Sequence, residues 1–141
     1  MKINNVNSNL IYLIPSILAI LQEYYISSLI YFTMFFVSSK YHCIDDYRES
    51  KNKKNKNRYL EYQKIDIFVA YLVIFNNCYI IFKNYKKHKI ICLLSALIAI
   101  ISFIFYKKYA CIRFTTQQIY NKCHPYWHIS TGIGSAILFL Y

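Results

Sequence analysis

Leu10–Val37 reads LIYLIPSILAILQEYYISSLIYFTMFFV, a stretch whose only charged side chain is Glu23 and whose only amide side chain is Gln22. Wound as one helix it would be about 42 Å long, against roughly 30 Å for the hydrocarbon core of a bilayer. Gln22-Glu23 falls near its middle, a depth at which a lipid-facing helix does not carry a carboxylate. The stretch therefore predicts two helices, Val6–Leu21 and Tyr24–Tyr41, with Pro15 a source of bending in the first. The apolar runs are too long for strands and do not alternate.

The same pattern recurs outward from this pair. A polar stretch, Asp45–Glu61, precedes a third apolar run, Gln63–Phe82. The basic turn Lys83–Lys89 leads to a fourth run, Ile90–Tyr106, and the last is Pro125–Tyr141. Between these two, Tyr109, Ile112, Thr116, Ile119 and Cys123 repeat at helical spacing, with Arg113, Gln117, Gln118 and Lys122 elsewhere on the wheel. That spacing predicts an interfacial amphipathic helix over Tyr109–Cys123. The expected fold is all-α: one domain over residues 1–141, a polytopic membrane bundle of about five transmembrane helices. Lys2 followed by Leu10–Leu21 has the outline of a signal peptide, but Leu21-Gln22-Glu23 offers no small-residue cleavage site, so a retained anchor is expected.

Charge is segregated rather than interleaved. The chain carries 17 Lys and Arg against 6 Asp and Glu, a net charge of +11. Much of the excess sits in the Lys/Asn-rich loop Lys51–Arg58 (KNKKNKNR), suited to anionic headgroups. No nucleic-acid recognition module is visible, and nucleic acid is not an expected partner. With five spans, the side holding the N-terminus, Asp45–Glu61 and Lys107–His124 carries 13 of the 17 basic residues, which places it in the cytosol. The cluster Lys83–Lys89 opposes that orientation.

Five polar residues then fall at span ends. Ser38 and His42 are four apart at the end of the second span, Asp66 begins the third, and His124 and His128 are four apart at the start of the last. An even number of crossings separates Asp66 from His124, so all five reach one membrane level. Three neutral imidazoles with a fourth position open to water are the pattern of catalytic zinc. Asp66 is suited to taking a proton from, or orienting, an attacking water, and Ser38 to hydrogen-bonding it. Cys43 and Cys123 adjoin His42 and His124. Each is expected to be a packing residue, an alternative ligand or half of a disulfide, the disulfide requiring a non-cytosolic side. With five cysteines in all, at least one thiol is unpaired. Gly132 and Gly134, the only glycines, with Ser135 and Ala136 predict close helix packing by the last span.

The residues around these positions add specificity. Ser8-Asn9-Leu10 through Pro15, the run Tyr31-Phe32-Thr33-Met34-Phe35-Phe36 leading into Ser38-x3-His42, Asp66, and His124-Pro125-Tyr126-Trp127-His128 resemble the transmembrane protein 8 and myomaker family. That family belongs to the superfamily of alkaline ceramidases, progestin and adipoQ receptors and Per-type lipid remodellers. The resemblance covers residues 8–70 well and 123–136 moderately; the middle is unmatched. It implies a membrane-embedded zinc hydrolase cleaving an amide or ester in a lipid. His42, His124 and His128 would be the metal ligands and Asp66 and Ser38 the groups that serve the water. The alternative is a non-catalytic multi-pass membrane protein of the same family, structural or membrane-remodelling. The family has seven spans and this chain five. The expected partners are membrane lipids, a lipid substrate and, where wall is missing, further copies of the chain or partner helices.

Overall fold

The computed structural model describes residues 5–50, 56–110 and 117–141. Among these there is helix and no strand. The first rod is α1 (Asn5–Ser8), a 3-10 stretch (Asn9–Tyr12) and α2 (Leu13–Leu21), continuous because the joining residues Ser8, Tyr12 and Leu13 all keep right-handed helical dihedrals. Then come α3 (Tyr25–Ser50), α4 (Lys56–Asn84), α5 (Lys89–Phe105) with a π-helical turn at its end (Tyr106–Ala110), and α6 (Gln117–Ile137).

The break at Gln22-Glu23 is present, and its chemistry is local. The Tyr24 N–H donates to the Ala19 carbonyl at 2.7 Å and the Glu23 N–H to Ile20 at 2.9 Å, the paired bonds of a Schellman termination. Such a turn needs one left-handed residue, and Glu23 supplies it with φ 63°. A side chain in that conformation costs about 1–2 kcal/mol that a glycine would not incur.

Three boundaries differ from expectation. α3 runs on to Ser50 and α4 begins at Lys56, so much of the polar stretch Asp45–Glu61 is helical. Residues 51–55, the heart of the basic loop, lie outside the described residues. The last helix does not start at Pro125. α6 runs from Gln117 straight through it, and His124 is helical. The predicted interfacial helix over Tyr109–Cys123 is thus replaced at its C-terminal end by α6 and at its N-terminal end by the π turn; residues 111–116 are not described. Pro125 removes one hydrogen bond from α6. Buried apolar packing holds the helix regardless, because the ring of Pro125 is fully enclosed.

The rods pack in the spatial order α4, α3, first rod, α6, α5. α4 and α5 are consecutive yet touch at few points, which leaves a seam between them. The two glycines serve two different contacts. A Cβ on Gly132 would lie 2.5 Å from Ile11 Cγ2 of the first rod, and one on Gly134 3.1 Å from Ile98 Cγ2 of α5. α6 is therefore wedged between two neighbours, tied to α5 by the Ser95 hydroxyl donating to the Gly134 carbonyl at 2.7 Å.

Polarity is distributed inside out. Ser27, Asn76, Ser95 and Ser102 are buried, whereas Leu21, Ile26, Phe82 and Ile90 are exposed. The interior polar groups pair across helices: Ser27 with Asn76, Asn76 with Tyr31, Tyr31 with Asn77, and Asn77 with Ser135. At the end of the bundle remote from the histidines, Tyr24, Asn84 and Tyr141 hydrogen-bond to one another, with His88 stacked on Tyr141. Two helical segments, Glu61–Asn84 and Lys89–Ala110, are long and apolar enough to cross a membrane, and Val6–Leu21 is a shorter apolar helix.

Candidate metal centre

α3 contributes His42 one turn after Ser38, and α6 contributes His124 and His128 one turn apart, so each pair projects from a single helix face. The first rod packs on both helices and closes the space between them. His42 and His128 are fully buried and His124 nearly so. Their Nε2 atoms approach to 3.0 Å in the His42–His128 pair, and one ligand atom from each of the three residues lies within 4.8 Å of the others. A tetrahedral zinc with bonds of 2.0–2.1 Å would set its nitrogens about 3.4 Å apart. The His42–His128 spacing of 3.0 Å is shorter than that, and the whole group fits within 4.8 Å. Three buried imidazoles with no carboxylate within the group form a donor set that can hold a metal ion.

The three ligands are not equally held. His124 Nδ1 lies 2.9 Å from the carbonyl oxygen of Ala110, the last residue of the π turn. A carbonyl only accepts, so Nδ1 carries the proton and Nε2 is left as the ligand atom. Tyr106, Tyr120 and Trp127 pack around the same ring, Tyr120 closest with centroids 4.4 Å apart. The Nδ1 atoms of His42 and His128 have no such acceptor.

Ser38 is fully buried beside the Asp66 carboxyl group. The approach is loose: neither Ser38 Oγ nor Asp66 Oδ1 has a hydrogen-bond partner of good geometry. Asp66 thus neighbours the metal group through Ser38 and is not among its ligand atoms. Of the flanking cysteines, Cys43 is exposed, Cys123 is half-buried, both are free thiols, and neither joins the three histidines.

A cavity of about 270 Å³ extends along the seam between α4 and α5; the three histidines do not line it, but Trp127, their neighbour on α6, does. Tyr12, Trp127 and Thr131 form its wall near the metal group; Val73, Ala99 and Ile100 are typical of the rest. The volume is near the lower end of ordinary ligand pockets, and the lining is mostly apolar.

Several participants carried no sequence signal. The Ala110 carbonyl is backbone, and Tyr12 is one of 16 tyrosines, within the segment Ser8–Pro15 but not distinguished there from a packing residue. Trp127 was visible only as part of the segment between the two histidines. No family model, curated protein or solved structure matches this chain.

Proposed function

We propose that the chain is a multi-pass membrane protein that holds zinc on His42, His124 and His128 and hydrolyses an amide or ester bond in a lipid. The observation that carries this is a group of three buried imidazoles next to an apolar cavity, with Tyr12 touching His128 on one side and lining the cavity on the other. The inside-out distribution of polarity supports the membrane reading, since so large an apolar surface with hydrogen-bonded amides beneath it suits lipid. The resemblance at Ser38, His42, Asp66, His124 and His128 supports the lipid-hydrolase reading.

Zinc, when bound, would act as a Lewis acid that polarises a carbonyl and acidifies a water. The remaining work falls to the chain's own residues. The cavity receives an acyl chain and so fixes where its carbonyl stops. Asp66 takes the proton of the attacking water and returns it to the leaving amine or alcohol, which is general base then general acid catalysis. Ser38, between Asp66 and His42, orients that water.

The test is metal content and fatty-acid release by the purified chain over a panel of ceramides and glycerophospholipids. The double substitution His124→Ala, His128→Ala should remove zinc that the wild type holds near one per chain. Asp66→Asn should keep the zinc and lose turnover by about 10²–10⁴. Wild-type turnover in Asp66→Asn would make Asp66 structural. Zinc without turnover of any lipid in the wild type would favour a second reading, a structural metal site tying α3 to α6, for which the direct His42–His128 contact speaks.

A further inference from the structure

Tyr12 is a buried hydroxyl that the reaction above leaves unused, and it stands where metal group and cavity meet. It lies at the end of the 3-10 stretch of the first rod, 2% exposed. Its ring packs edge-on against the His128 ring with centroids 6.1 Å apart, and its side chain lines the cavity.

The direction of its hydrogen bond can be read from its partner. Tyr12 Oη and Thr131 Oγ1 are 2.8 Å apart. The Thr131 hydroxyl proton is already directed at backbone carbonyls, Trp127 at 2.9 Å and His128 at 3.1 Å. Tyr12 is therefore the donor, and its O–H rests on Thr131, one turn along α6 from His128. A lipid whose chain fills the cavity and whose carbonyl lies at the histidines must pass this phenol. The resting bond is neutral to neutral, and a bond to a developing oxyanion would be roughly twice as strong.

We propose that Tyr12 is a further catalytic residue, the donor that stabilises the oxyanion of the tetrahedral intermediate. This rests on the lipid-hydrolase reading. The water oxygen bonds to the acyl carbon as its proton passes to Asp66, and the carbonyl π pair moves onto the carbonyl oxygen. Tyr12 turns its O–H from Thr131 to that oxygen without giving up the proton. The pair then re-forms the carbonyl, the bond to the amine or alcohol breaks, and the leaving group takes the proton held by Asp66. The products are a fatty acid and the free amine or alcohol, and Tyr12 returns to Thr131.

The experiment uses the zinc-loaded full chain in detergent with whichever lipid the wild type turns over best. Tyr12→Phe keeps the ring against His128 and removes only the hydroxyl. Removing one oxyanion donor lowers kcat by about a hundredfold or more, with KM and zinc content little changed because the bond forms only in the transition state. A matched substrate bearing C=S in place of C=O, a poorer acceptor, should narrow the gap between wild type and Tyr12→Phe to a few-fold. Unchanged kcat in Tyr12→Phe overturns the proposal and leaves the hydrolase reading standing. An equal loss on both substrates, or a loss explained by missing zinc, also overturns it. No turnover by the zinc-loaded wild type overturns the hydrolase reading, and the role of Tyr12 with it.

Discussion

At the scale of single residues, the centre is asymmetric, and the asymmetry has a measurable consequence. His124 is the ligand whose tautomer is set from outside by Ala110, and the one gripped by Tyr106, Tyr120 and Trp127. An outer hydrogen bond that fixes a ligand's tautomer typically adds about 10–100-fold to metal affinity. His124→Ala should therefore cost more zinc affinity than His42→Ala, measured by competition with a chelator. Equal losses would show that the Ala110 bond does not strengthen the hold of His124. What was legible at this scale was identity and level. Ser38, His42, Asp66, His124 and His128 stand out because polar residues at apolar span ends are conspicuous. Tyr12 and the Ala110 carbonyl were not legible. A tyrosine in an apolar run looks like ordinary packing, and a backbone carbonyl has no letter.

At the scale of elements, the boundaries divide by what sets them. The break at Gln22-Glu23 was readable because it is a polar interruption, and the structure answers it with a Schellman turn. The last helix starts at Gln117, ahead of the apolar run Pro125–Tyr141, so its boundary is not set by Pro125. Its buried ring lies in a helix whose packing outweighs one missing hydrogen bond. The glycines belong between these cases, since their use in close packing was predicted but not that they face two different partners. Gly132→Ala would press a methyl into Ile11, whose β-branched side chain has little room to turn. Overpacking of this kind costs about 1–3 kcal/mol, and the better helix propensity of alanine returns only about 1 kcal/mol. The expected order of thermal midpoints in detergent is wild type, then Gly134→Ala, then Gly132→Ala. Adding Ile11→Ala should recover part of the loss, as contacting sites do in a double-mutant cycle. Additive losses would mean that Ile11 and Gly132 do not touch.

At the scale of the whole molecule, two polar knots lie at opposite ends of helices whose outward faces are apolar. One is the histidine group; the other joins Tyr24, Asn84 and Tyr141. Along α3 from Tyr24 to His42, and along α4 from Asp66 to Asn84, the helical rise is about 27 Å, close to the ~30 Å thickness of a hydrocarbon core. On the proposed multi-pass reading, a bilayer has the knots at its two faces and is crossed five times. The basic residues then predict the orientation, histidine group toward the cytosol and Lys83–Lys89 away from it. This can be checked in intact cells with a membrane-impermeant maleimide. One variant keeps Cys43, exposed at the histidine end, as its only cysteine; the other carries Tyr85→Cys, an exposed turn position at the far end, in a cysteine-free background. The expected result is labelling of the turn variant alone, with Cys43 reacting only after the membrane is opened. The reverse pattern would keep the five-span bundle and invert it, which would mean that the four lysines of the turn outweigh the longer basic segments. Labelling of both positions from one side would remove the odd number of crossings. The parity that brings Asp66 to the level of His124 would fail with it, and so would the reading of the bundle as a membrane-spanning one.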